Sequence, residues 1–138
     1  MNTENDLRII YYSSESEPTG ESLLRVLEMN LSRNRIEACS TVDLLSQRLR
    51  RPIPEQFIVV LLAASRDELA RIMMLRELLL DRRVILVLPN HDPDTASSGH
   101  MLRPRFITYR NGDYSDVSVV LGRMIKSSAG AEQGRLLC

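Results

Sequence analysis

Both histidines of the chain, His91 and His100, fall in one short segment, with Asp92 and Asp94 beside the first. Imidazole and carboxylate are good ligands for zinc and similar ions. The spacing matches no tight site, and Asp92-Pro93 is an ordinary helix start, so the segment reads as a solvated loop without a metal. The two cysteines, Cys39 and Cys138, give neither a disulfide framework nor paired ligand spacing. Cys39 falls in an expected strand and reads as a small buried hydrophobe, whereas Cys138 ends a polar tail. No glycine-rich nucleotide fingerprint and no nucleophile elbow occur, and a Ser-His-Asp set drawn from this many residues by chance carries no weight. Of the 18 basic residues, Lys126 is the one lysine, and 18 acidic residues cancel them. The whole chain therefore shows no charge footprint for nucleic acid.

The elements that must position these residues follow from periodicity. Leu7 to Tyr12 reads as a strand buried on both faces. A polar loop, 13–17, and Pro18 lead into a first helix over 19–32, with Leu23, Leu24, Leu27 and Leu31 on its apolar stripe. Arg35 to Ser40 is a second, alternating strand. Thr41 caps a second helix on Val42, Leu45 and Leu49, closed by Pro52 and Pro54. Arg48, Arg50 and Arg51 at its end read as a solvated terminus favoured by the helix dipole. Phe57 to Leu62 is the clearest strand, continuous and β-branched. Ser65-Arg66-Asp67-Glu68 forms a capping box that opens a third helix running to about Asp81. The second half of that helix is apolar nearly all round, and Met73, Met74, Leu75, Leu78 and Leu79 exceed what one face needs. A dimer or partner interface would use the surplus, and close packing beside the sheet would equally account for it. Val84 to Leu88 is a fourth strand, the stretch 89–104 a short or degenerate fourth helix, and Arg105 to Tyr109 a fifth strand. Asp113 or Ser115 caps a last helix on Val117, Val120, Leu121, Met124 and Ile125.

Alternating strands and helices imply a parallel sheet covered on both faces. The expected fold is α/β, a flavodoxin-like (βα)5 three-layer sandwich with strand order 2-1-3-4-5, whose ligands sit at the carboxyl ends of the strands. With 138 residues the chain makes one domain, 7–126, between an N-terminal tail, 1–6, and a tail, 127–138, expected to be disordered. The apolar runs are too short to span a bilayer, and the start of the chain lacks the basic and apolar regions of a signal peptide. The expected location is cytoplasmic.

In element order, length and hydrophobic pattern, residues 7–126 resemble the receiver domain of two-component response regulators. Receivers hold Mg²⁺ with two acidic residues after strand one. They accept phosphate on an aspartate at the end of strand three, and they place a Ser or Thr after strand four and a Lys after strand five. Here strand one ends Tyr12-Ser13-Ser14-Glu15, where Glu15 could stand in for one acid but the tandem pair is missing. Strand three ends Leu62-Ala63-Ala64-Ser65, strand four Leu88-Pro89-Asn90, and strand five Tyr109-Arg110-Asn111. Ala63 and Ala64 offer no oxygen nucleophile, and Lys126 is too far along the last helix to follow strand five. Arg110 could supply charge, but a guanidinium does not replace an ammonium at a close phosphate site. The resemblance is thus to the pseudo-receivers. It implies a phosphorylation-independent signalling or regulatory module, with no enzyme activity, no cofactor and no metal. The implied partner is another protein or a second copy of the chain, with no nucleic acid and no membrane. The family's output and dimer face makes Tyr109, Arg110, Tyr114 and Arg123 candidate surface contacts, to which the third helix adds Met74 and Leu78. An alternative stays open: Glu17 to Ser22 partly resembles the flavodoxin phosphate loop. There Thr19, Gly20 and Ser22 would hold FMN or another phosphate-bearing ligand at a helix N-terminus, although Glu15, Glu17 and Glu21 surround the place with negative charge.

Overall fold

The computed structural model describes residues 7–14, 19–51, 56–110 and 112–137, of which 19 and 127–137 by backbone alone. The expectations placed on 1–6, Glu15, Glu17, Pro18, Pro52, Pro54, Asn111 and Cys138 lie outside the described residues.

Five strands, β1 (Arg8–Tyr12), β2 (Ile36–Cys39), β3 (Phe57–Leu62), β4 (Arg83–Leu88) and β5 (Phe106–Tyr109), form one parallel sheet in the order β2-β1-β3-β4-β5. With its flanking helices the sheet makes the expected flavodoxin-like three-layer sandwich. β3 lies at its centre, and every residue of β3 is buried, as its unbroken apolar run requires. Side-chain alternation then divides the core in two. Ile10, Val59, Leu61, Leu86 and Leu88 point to one face, beneath α2 (Val42–Arg50), α3 (Arg66–Met73), α4 (Arg76–Leu79) and α5 (Pro93–His100). Ile9, Ile58, Val60, Ile85 and Val87 point to the other, beneath α1 (Thr19–Asn30) and α6 (Ser115–Leu137). Leu23 and Leu27 of α1 and Val117 and Leu121 of α6 complete that second cluster. Asn30 joins the two helices by donating to Ser118 Oγ at 3.0 Å.

Two helix ends follow the sequence reading. Thr41 Oγ1 accepts the Leu44 amide at 3.1 Å, and Ser65 Oγ accepts the Glu68 amide at 3.2 Å. The expected fourth helix is α5, eight residues long. It lies close against β4 because Gly99 has no side chain: a Cβ there would meet the Leu86 and Leu88 methyls at 3.0 Å.

The third helix departs from expectation. It is not continuous to Asp81 but breaks at Met74 and Leu75 into α3 and α4, through the bonds Met74 N–H to Arg71 O, Leu75 N–H to Ile72 O and Leu78 N–H to Leu75 O. An uninterrupted α-helix would rotate Leu75 well away from Leu69, since three residues fall short of a full turn. The i→i+3 turn aligns Leu75 with Ile72 instead, and Leu69, Ile72, Leu75 and Leu79 all reach the core. The backbone of 127–137 continues α6. Extending a formed helix adds one hydrogen bond per residue fixed, and Ala, Glu, Gln, Arg and Leu in this stretch all favour it. Among the described residues no helix is long and apolar enough to cross a membrane.

Candidate functional site at the carboxyl edge of the sheet

In a parallel sheet of this order the carboxyl ends of β1, β3, β4 and β5 open onto one edge. Arg110, directly after β5, is the residue most firmly placed there. Its amide extends the ladder to Leu88 O at 3.1 Å, and its carbonyl accepts from Tyr114 Oη at 3.0 Å. Its Nη1 crosses the end of β4 and donates to Ala64 O at 3.2 Å, after β3. The half-buried guanidinium therefore sits over the end of the central strand, bonded to backbone. Ala63 is fully buried and its methyl belongs to the core beneath α3, while Ala64 is half-buried. Ser65 spends its hydroxyl on the α3 cap. The residues that follow β3, Ala63, Ala64 and Ser65, include no carboxylate.

The end of β1 is held by two tyrosines. Tyr11 Oη donates to Gly20 O at 2.7 Å, fixing the start of α1 against the sheet. Tyr12 Oη donates to Glu68 Oε1 at 3.0 Å. Glu68 thus turns toward β1, whereas a capping box would have it reach back over its own helix end. Burial pushes the Tyr12 phenol above its ordinary 10.0, and the hydrogen bond and charge of Glu68 push it further. It is held as a proton donor, not as a base. Ser13 N–H donates to Cys39 O at 3.2 Å, and Ser14 Oγ is buried without a hydrogen bond among the described residues. Gly20 lies so close to Ser13 that a Cβ would collide with Ser13 Oγ, and Gly20 is buried.

Beyond β4, the His91 ring stacks on Tyr109, with centroids 3.7 Å apart and planes at 25°. His100 ends α5, an eight-residue helix roughly 12 Å long at 1.5 Å rise per residue, and His91 precedes its start. Among the described residues no group of three or more His, Cys, Asp and Glu side chains is placed to hold a metal ion.

The structure separates the expected contact residues. Tyr109 is half-buried and packs against the core, and Arg110 is committed to Ala64. Tyr114, expected at the surface, is a correction: it is 2% exposed, because its left-handed backbone (φ 62°) turns the ring inward beneath α6. Arg123 is exposed on α6, on one side of the sheet, while Met74 and Leu78 belong to the layer on the other. The apolar surplus of the third helix is smaller than its composition suggests. Leu75 and Leu79 are buried, Met73 and Leu78 pack on the core, and Met74 alone of this group stands out, at 84% exposed.

Sequence reasoning missed the Arg110–Ala64 and Tyr12–Glu68 contacts. Their partners are 46 and 56 residues apart, so no local spacing signals them. Only the strand order, by bringing the ends of β1, β3 and β5 to one edge, could have suggested looking for partners there. Comparison with protein-family models, curated proteins and solved structures gives no match for this chain.

Proposed function

We propose that this chain is a non-catalytic interaction module of the pseudo-receiver kind, working in cytoplasmic signalling or regulation by docking a protein without being phosphorylated. The observation that supports it is the end of β3. Aspartyl phosphorylation needs a carboxylate nucleophile, and a metal to neutralise the transferring group. At that position stand Ala63, with its methyl in the core, and Ala64, whose carbonyl takes a hydrogen bond from Arg110. Lys126, the one lysine, lies well inside α6 and away from the strand ends. What remains of the receiver plan is a rigid sheet whose last strand and helices can present a surface. Arg123 and Met74 are the candidates exposed to a partner.

The test is incubation of the full chain with Mg²⁺ and either acetyl phosphate or beryllofluoride. The expected result is an unchanged intact mass and an unchanged amide NMR spectrum. A stoichiometric phosphoryl adduct, or beryllofluoride-dependent shifts gathered at Ala63, Ala64 and Arg110, would overturn the reading. A parallel melt with FMN addresses the loop at Thr19, Gly20 and Ser22. No change in Tm is expected, and saturable stabilisation would favour the ligand-binding alternative.

A further inference from the structure

We propose that the free edge of β2, together with the flank of α2, is a docking groove for an acidic, extended segment of a partner protein. This surface lies at the opposite edge of the sheet from β5, so the proposal stands independently of the reading above.

Three observations converge on it. First, β2 is an edge strand, and among the described residues no strand pairs with its outer side. Cys39 O accepts from Ser13 N–H, so Cys39 turns its peptide groups toward β1. Ala38, one residue earlier, must turn its N–H and C=O outward, and it is exposed. An added strand would find a donor and an acceptor waiting there. Second, a groove of about 590 Å³ runs beside this edge, walled by Glu37, Ala38 and Cys39 on the strand and by Leu44, Gln47 and the arginines on the helix. Leu44 is 47% exposed and gives the groove an apolar contact.

Third, the charge is one-sided. Among the described residues that line the groove, Arg48, Arg50 and Arg51 stand against a single carboxylate, Glu37. Glu37 is itself claimed by Arg48 through bonds of 2.6 and 2.9 Å. Arg50 and Arg51 are exposed, and the excess positive charge at this edge contrasts with a chain of zero net charge. That excess selects the occupant. A second copy of the chain would bring like charge to like, whereas a strand with carboxylates at alternate positions places them along α2. Nucleic acid would satisfy the arginines but leave the Ala38 peptide groups unused.

The experiment is fluorescence polarisation of the full chain with a fluorescein-labelled hexapeptide carrying glutamate at alternate positions and valine or threonine between. Saturable binding that weakens with added salt is expected. Ala38→Pro removes the outward N–H at a position where an edge strand tolerates proline, and should weaken binding about tenfold, the effect of one good hydrogen bond. The double variant Arg50→Ser, Arg51→Ser should do the same through charge. Far-UV circular dichroism and Tm report whether each variant is folded, and a hexapeptide N-methylated at alternate amides tests the ladder on the unaltered protein. Four results would overturn the proposal: no saturable binding, equal binding of the N-methylated peptide, tighter binding of an oligonucleotide than of the peptide, or a dimer in light scattering that Ala38→Pro dissolves.

Discussion

At the scale of single residues, the Glu37–Arg48 pair offers the sharpest handle on stability. The Arg48 side chain is 12% exposed and that of Glu37 32%, and the guanidinium grips the carboxylate with two bonds. That hydrogen bonding holds Glu37 below the ordinary 4.5, with lesser help from the charges of Arg48, Arg8 and Arg51 and against the effect of burial. A carboxyl depressed in the folded state stabilises above its unfolded value and loses that contribution as pH falls through its folded value. Glu37→Gln should therefore cost about 0.5–1 kcal/mol at neutral pH by urea denaturation. The gap between the variant and the parent should close only once the pH drops below 4.5 and then below the lowered folded value. An undiminished gap at the acid end would mean that shape and not charge joins the pair. Residues of this kind were legible only where their partners are local. Thr41 and Ser65 announce their caps three residues ahead, but the inward turn of Tyr114 follows from a left-handed backbone that no spacing reveals.

At the scale of elements, two short helices depend on close fits to the sheet. Glycine inside a helix ordinarily gains about 0.5–1 kcal/mol of stability on change to alanine. In α5 the sign should reverse. Gly99→Ala pushes a methyl against Leu86 and Leu88, both fully buried, and should destabilise by about 1–2 kcal/mol in thermal or urea unfolding. Stabilisation would show that α5 can lift from β4. The α3–α4 break makes a paired prediction. Leu79→Ala empties a fully buried site and should cost about 2–4 kcal/mol, while Met74→Ser, at the exposed break between the two helices, should stay within about 0.5 kcal/mol. The break also shows where element reading stopped. Hydrophobic content identified the segment as buried, but whether the chain bends to bury it depends on the surface beneath.

At the scale of the whole molecule, order and topology were readable because strands alternate with helices along the chain and the central strands are apolar on both faces. Five such units leave few ways to cover a parallel sheet. The edge chemistry was harder to read, because the sheet assembles it from chain ends distant in sequence. Both core clusters share the same five strands, so neither can come apart alone. Unfolding should be a single transition, with far-UV circular dichroism and tyrosine fluorescence coinciding through a urea titration. Separate midpoints would mean that one helical layer loosens first. The stacked pair His91 and Tyr109 has a further use in a chain with no tryptophan and two histidines. The aromatic ring current should move the His91 ring protons upfield of those of His100. In a one-dimensional proton spectrum the two imidazoles would then serve as a built-in beacon and its reference, reporting whether a visitor has disturbed the mouth of the sheet.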